Sequence, residues 1–359
     1  MTESQITLGF VGDLMLGRGV NAAAATLAPE SFWGDVLPLM RSVDAVFANL
    51  ECPITDSRRE WRRCWKAFRF RADPRSVDIL RAGNVRYVSL ANNHMLDFEA
   101  EGLVDTLRHL RMAGIAHAGA GRDSAEAVRP AILEVAGLKI GVISITDNMP
   151  EFAATIDRPG TNYLRIRTDH VTLSLIAGLI GELRDMGATL IVLSAHWGPN
   201  LRPWPPARFR RFAHAVLELG VDVFHGHSAH LTQGLELRDG RVIFYDTGDF
   251  LDDYWVFPFI RTDRSCLFLL RIVDGRIAGV RLVPVTLRPG LVRRATNREG
   301  QAILARTMRL CRPFLESSTA VASELSLSPI SADREPPLLA SWLGCQEPAL
   351  PIADGVAAE

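Results

Sequence analysis

Val85–Phe98, VRYVSLANNHMLDF, is the stretch whose reading decides the fold. Its apolar run is of strand length, and it ends by delivering an amide, Asn93, beside an imidazole, His94, with Asp97 three residues on. In sheets covered by helices, ligands bind beyond the carboxyl ends of the strands, so chemistry placed there reads as a site. A lone histidine at such a place is more often a satisfied structural residue. Here, however, the same event recurs along the chain.

Working outward, the run Ile6 to Val11 stops at Gly12-Asp13, and the run ending at Leu50 stops at Glu51. Leu190 to Ser194 leads to Ala195-His196-Trp197-Gly198, and Val221 to Phe224 leads into His225-Gly226-His227-Ser228-Ala229-His230. Carboxylates, an amide and several imidazoles, all at strand ends, are the donor set of a divalent ion such as zinc, manganese, iron or calcium, one or two of them.

The alternation of strands with helices over the first part of the chain predicts an α/β fold. Helices are expected over 33–42, 76–82, 101–113, 168–187 and 208–220. A hairpin is expected from Ala131–Val135 and Ile140–Ile145, and the strands Gly234–Arg238, Arg241–Tyr245, Cys266–Val273 and Ile277–Pro284 read as an antiparallel set. This mixed order predicts two packed sheets. A last helix is expected over 297–314. The domain division expected is 1–290 as the main domain, 291–315 as a helix packed on it, and 316–359 as a weakly structured tail rich in Ser, Pro and Ala. Ile54 to Phe70, ITDSRREWRRCWKAFRF, is irregular and rich in arginine and aromatic residues, as a flap meeting substrate would be.

A formal net charge of -1 in 359 residues gives no electrostatic reason for a nucleic-acid or anionic-membrane partner. No apolar run approaches the roughly 18 residues of a membrane span, and the N-terminus does not read as a secretory signal. Five cysteines without zinc-finger spacing suit reduced thiols, so a cytoplasmic location is expected.

The set GDLMLGR (12–18), ANLECPIT (48–55), SLANNHMLDF (89–98), GAGR (119–122), AHWG (195–198), GHSAHLTQGLEL (226–237) and IFYDTGDF (243–250) resembles the CapA-like proteins of capsular poly-γ-glutamate synthesis. These belong to the calcineurin-like metallophosphoesterase superfamily, and the likeness covers roughly residues 6 to 285. It implies a four-layer αββα sandwich with a metal centre at the strand ends. It also implies Asp13, Glu51, Asn93, His196 and His227 as metal ligands, and His94, oriented by Asp97, as an acid/base group outside the metal. Met15 stands where the superfamily places a histidine, Glu51 replaces an aspartate, and His227 and His230 are three apart rather than two. These departures point to a single metal, or a second held weakly, and free His230 for acid/base work alongside Asp13.

Arg18, Trp197, Arg202 and Asp249 are the residues expected to meet substrate, the arginines by pairing a carboxylate or phosphate. By the resemblance the default chemistry is metal-assisted hydrolysis of a phosphoester. The alternative is inversion of an amino-acid centre, as in the CapA-like epimerases of lasso-peptide biosynthesis. A third reading is a non-catalytic accessory protein that binds polyglutamate. The expected partner is a peptide or polyglutamate chain.

Overall fold

A computed structural model describes residues 5–315 and the short strand Glu324–Ser326. Two sheets face each other. The first runs in the order 291–294, 276–288, 264–273, 5–14, 45–50, 85–89, 116–118, with Asp249–Leu251 added parallel to the end of Gln5–Leu14. The second runs 235–238, 241–244, 223–227, 190–196, 138–146, 131–135. In the first sheet the strands from 5–14 out to the edge strand 116–118 are parallel and those on the other side antiparallel; in the second the central strands are parallel and both edge hairpins antiparallel.

The space between the sheets is the core, filled from one side by Ile6, Leu8, Phe10, Phe47, Tyr87, Phe268 and Leu270, and from the other by Ile140, Val142, Leu190, Val192, Val223, Val242 and Phe244. Because side chains alternate across a strand, the other parity of the second sheet faces outward. There Ile191, Leu193 and Phe224 meet Ile176, Ile180 and Leu183 of helix His170–Asp185 and Phe209, Phe212 and Val216 of helix Ala207–Glu218. Helices Val77–Ala82 and Glu99–Met112 contact strands of the first sheet. The architecture is the expected four-layer αββα sandwich of two mixed sheets. Each large apolar side chain buried in these layers contributes about 1.5–3 kcal/mol before the chain-entropy cost.

Two local expectations change. The four late strands are not one set: the hairpin 235–244 belongs to the second sheet and the hairpin 264–288 to the first. The chain crosses between sheets at Asp246–Leu251, where the Asp13 amide donates to Gly248 O at 2.9 Å. A Cβ on Gly12 would lie 1.6 Å from that oxygen, so only glycine fits. The helix expected over 33–42 is instead a 3₁₀ stretch, Pro29–Val36, followed by helix Leu37–Ser42, because Gly34 (φ +47°) breaks the helical path.

Helix Asn297–Leu315 contacts strands 235–238 and 276–288 and adds Ile303, Leu304 and Cys311 to the inter-sheet core. Apart from strand 324–326, which pairs parallel with 276–288, the expected tail lies outside the described residues. No helix among the described residues is long and apolar enough to cross a membrane.

Candidate metal centre

The site is the polar end of the inter-sheet layer. Inward rows that begin apolar end in chemistry: Ala45, Phe47, Asn49, Glu51 on one strand; Leu190, Val192, Ser194, His196 on another; Val223, His225, His227 on a third. Asp13 joins them after a register shift between Phe10 and Asp13. All of these polar residues are buried.

Asp13, His196 and His227 form one group whose ligand atoms lie within 4.8 Å of one another, and Asp13, Glu51, His230 and Asp249 form a second. These buried His/Asp groupings could hold a metal ion. His196 Nδ1 and His227 Nδ1 lie 4.0 and 3.8 Å from Asp13 Oδ1. Asp13 Oδ2, both Glu51 carboxylate oxygens and Asn93 Oδ1 are buried with no hydrogen-bond donor. A desolvated, unpaired carboxylate is costly, and a divalent cation supplies the missing charge. The donor set therefore fits a hard-to-borderline divalent ion.

The electrostatics agree with that fit. Burial pushes Asp13 up to about 7 and Glu51 well above the usual carboxylate range, with the charge of Asp13 adding to the latter. Burial holds His196 and His227 well below the ordinary histidine value, as neutral lone-pair donors.

Supporting residues fix the tautomers. His225 Nε2 donates to Val11 O at 3.0 Å, Ser194 Oγ stands 3.5 Å from His225 Nδ1, and His227 Nε2 stands 2.9 Å from Ser194 Oγ. Read as one donor chain, this puts the proton of His227 on Nε2 and leaves its Nδ1 lone pair for Asp13's side of the site. Asn49 Nδ2 donates to Asp13 Oδ1 at 2.7 Å. Asn92 donates to Asn49 Oδ1 and Leu50 O and accepts the His94 amide. Asp246 accepts from the amides of Ala229 and Gly248, pinning the loop that carries His230 at φ +57°.

His94 stands beside Glu51 and His230 beside Asp13. His94 Nδ1 donates to Asp97 Oδ2 at 2.6 Å, leaving Nε2 bare and 3.8 Å from Glu51 Oε1. Burial pushes His94 down to about 4, so it is a neutral base. Lys66, from the irregular 54–70 stretch, reaches Asn93 O and Asp97 with its ammonium. His230 Nδ1 pairs with Asp249 Oδ1 at 2.9 Å and stands 3.7 Å from Asp13 Oδ2. Burial alone would lower His230, but Asp249, Glu51 and Asp13 outweigh it and hold it cationic.

The residues expected to meet substrate divide. Asp249 sits beside His230 within the second ligand group. Arg18 Nε pairs with Asp253 at 3.3 Å, with its guanidinium 5.8 Å from the Phe70 ring, which itself packs 4.3 Å from His94. Arg202 is exposed; its backbone carbonyl accepts from Gln233 Nε2. Trp197 is a correction. Its indole is buried among Phe209, Phe212 and Phe224 and donates to Tyr245 O at 2.9 Å, because its position falls on the helix-facing parity of the strand. Met15, where a further histidine was expected by resemblance, is buried and its sulfur accepts the Gly17 amide.

Asn49, Lys66, Ser194, His225, Asp246 and Tyr254 were missed by sequence reasoning. The inward period-two rows contain Asn49, Ser194 and His225, so following those rows to their ends would have found them. Lys66 and Tyr254 come from irregular loops and carry no such signal.

A family model, Bacterial capsule synthesis protein PGA_cap, matches residues 7–254. The PGA biosynthesis protein CapA of Bacillus subtilis is 29% identical over 80% of this chain and 73% of its own. A probable polyglutamine synthesis accessory protein of Mycobacterium tuberculosis is 30% identical over 79% of this chain and 77% of its own. Among solved structures, the Termus thermophilus sulfate thiohydrolase SoxB aligns over 87% of this chain and 61% of that one, at TM-score 0.41 and 12% identity, too distant a likeness to bear on the site. With the match to its model spanning most of the sandwich and every strand end that carries the buried donors, the chain belongs to the PGA_cap family of bacterial capsule synthesis proteins.

Proposed function

We propose that the chain is a divalent-metal enzyme that moves a proton at a Cα of a peptide or polyglutamate-type chain, inverting that centre. The observation that supports this reading most is the pair of differently poised imidazoles beside the same buried acceptors. His94 Nε2 is a bare lone pair, and the His230–Asp249 pair carries a proton. Groups whose surroundings push their proton affinities apart are the pattern of an acid/base pair. The names of the relatives, one for PGA biosynthesis and one for polyglutamine synthesis, favour a peptide-like substrate.

Asp13, His196 and His227, with Glu51 and Asn93 as further ligands, would hold a divalent ion, which would supply the positive charge that polarises a substrate carbonyl or carboxylate. His94 Nε2 takes the Cα proton, and the electron pair passes into the adjacent carbonyl. His230 returns a proton from the other side, with Asp249 holding the ring. The reverse transfers, by exchange with solvent, restore both groups. Asp97 keeps His94 in the reactive tautomer throughout.

The test is chelation and metal add-back with two readouts: deuterium uptake at Cα from heavy water into candidate peptides, and hydrolysis of a generic phosphodiester. Metal-dependent deuterium uptake without hydrolysis is expected. Metal-dependent hydrolysis without uptake overturns the proton-transfer reading in favour of phosphoesterase chemistry.

A further inference from the structure

Two loops meet over the site. Phe70, at the end of the 54–70 stretch, and Tyr254, in the stretch after Asp249–Leu251, lie with ring centroids 5.6 Å apart. Phe70 covers His94 at 4.3 Å and Tyr254 covers His230 edge-on at 5.4 Å. The residues just beyond these inner rings are large aromatics turned to solvent: Trp65 is 87% exposed, Phe68 62% and Trp255 77%. Each is tied to a residue that touches the site. Trp65 precedes Lys66, which reaches Asn93 and Asp97; Phe68 stacks on Phe70 at 6.2 Å; Trp255 follows Tyr254.

Isolated exposed apolar residues need no explanation, but aromatics gathered on the two loops that cap a buried polar centre mark a recognition surface. The same 54–70 stretch exposes Arg58, Arg59, Arg62 and Arg63 against Asp56 and Glu60; Arg62 lies 3.8 Å from Glu60 and Arg63 3.1 Å from Glu99, so its exposed charge is net positive, with Arg58 and Arg59 free of those two pairs. Arginine and aromatic residues together are the composition of interface anchors.

We infer that these loops form the substrate rim, and that it takes a peptide in which bulky apolar side chains alternate with carboxylates, rather than a uniform polyglutamate. The inference rests on the proposed function for the identity of the centre beneath. The charge complementarity is explicit: the arginines attract an acidic chain, while Trp65, Phe68 and Trp255 offer ring surface that a chain of carboxylates alone leaves unused. Phe70 and Tyr254 pack against each other at 5.6 Å over His94 and His230, so an extended peptide lies across this aromatic roof with its side chains on Trp65, Phe68 and Trp255.

The experiment uses the full chain, with metal, and fluorescent peptides that alternate glutamate with tryptophan, or glutamate with serine, plus a γ-linked oligoglutamate, read by anisotropy. Expected is binding of the tryptophan peptide about tenfold tighter than either of the others, weakened by salt. Trp65→Ala with Trp255→Ala, both at exposed positions that the fold does not need, should remove most of that preference. Equal or tighter binding of oligoglutamate overturns the inference, as does an unchanged preference in the variant. Aromatic-dependent sedimentation with phosphatidylglycerol vesicles, or aromatic-dependent dimerisation, without peptide binding, overturns it in favour of those occupants. Binding is read without turnover. Rim-dependent binding with no deuterium uptake would sink the reaction alone, and uptake with an unaltered KM in the rim variant would sink the rim alone.

Discussion

His196 Nδ1 and His227 Nδ1 stand 3.1 Å apart, each within 4.0 Å of the same oxygen of Asp13. The donor chain through Ser194 and His225 places the proton of His227 on its far nitrogen, so its near nitrogen is a lone pair pointing at its neighbour. Two imidazoles and a carboxylate converging in this way could hold a cation.

Ser194→Ala removes the group that His227 Nε2 donates to, while leaving every proposed ligand in place. Divalent-metal affinity should fall about 10- to 100-fold, the usual cost of losing an outer hydrogen bond to a metal-bound histidine. Competition with a chromogenic chelator measures it. An unchanged affinity would mean that His227 is not a ligand through Nδ1.

Metal affinity should also depend on pH. In the metal-free protein, burial raises Asp13 to about 7 and Glu51 further above its ordinary range, so below neutrality an arriving ion must displace their protons. His196 and His227 are already neutral and do not compete. Affinity therefore rises with pH by about one decade per pH unit or more below pH 7. Titration calorimetry in buffers of different ionisation enthalpy counts the protons released; a flat affinity between about pH 5.5 and 7 contradicts the assignment of Asp13.

Asp97→Asn keeps an oxygen for the Phe70 amide but removes the charge that orients His94. The expected result is kcat lower by about 10²- to 10⁴-fold, with little change in KM or metal content. Loss of metal along with activity would instead make Asp97 a support of the ligands.

What the sequence showed and hid can be traced residue by residue. Asp13, Glu51, His94, His196 and His227 were legible because each ends an apolar run, and the sheet order gathers those ends on one edge. Trp197 was misread because adjacency in sequence to His196 means the opposite face of a strand. Lys66 and Tyr254 reach the site from irregular loops, where no periodicity announces them. Asp249 was noticed, but its pairing with His230 depends on the crossover at Gly248, which is a tertiary fact.

That correction carries its own test. Trp197→Phe deletes the donor to Tyr245 O inside the outer core, so it should lower unfolding free energy by about 1–3 kcal/mol while KM stays unchanged. Urea unfolding and steady-state kinetics report the two quantities separately. A raised KM at unchanged stability would return the indole to the substrate.

His225 gives a stability effect with a definite direction. It is fully buried, with Nε2 donating to Val11 O, and burial lowers it to about 4 from an ordinary value of 6.5. The unfolded chain therefore takes up a proton on this ring at a higher pH than the folded chain does. The stabilisation from keeping it neutral is fully present above about pH 6.5 and is lost as pH falls towards 4. The lowering corresponds to about 3 kcal/mol at most. Other buried histidines act in the same direction and the raised carboxylates Asp13, Glu51 and Asp246 in the opposite one, so the effect is isolated as a difference. In chelator-treated protein, the stability of the wild type minus that of His225→Gln should shrink by about 2 kcal/mol between pH 7 and pH 4.5. A constant difference across that range would mean that the ring is not held neutral by its burial beneath the candidate metal centre.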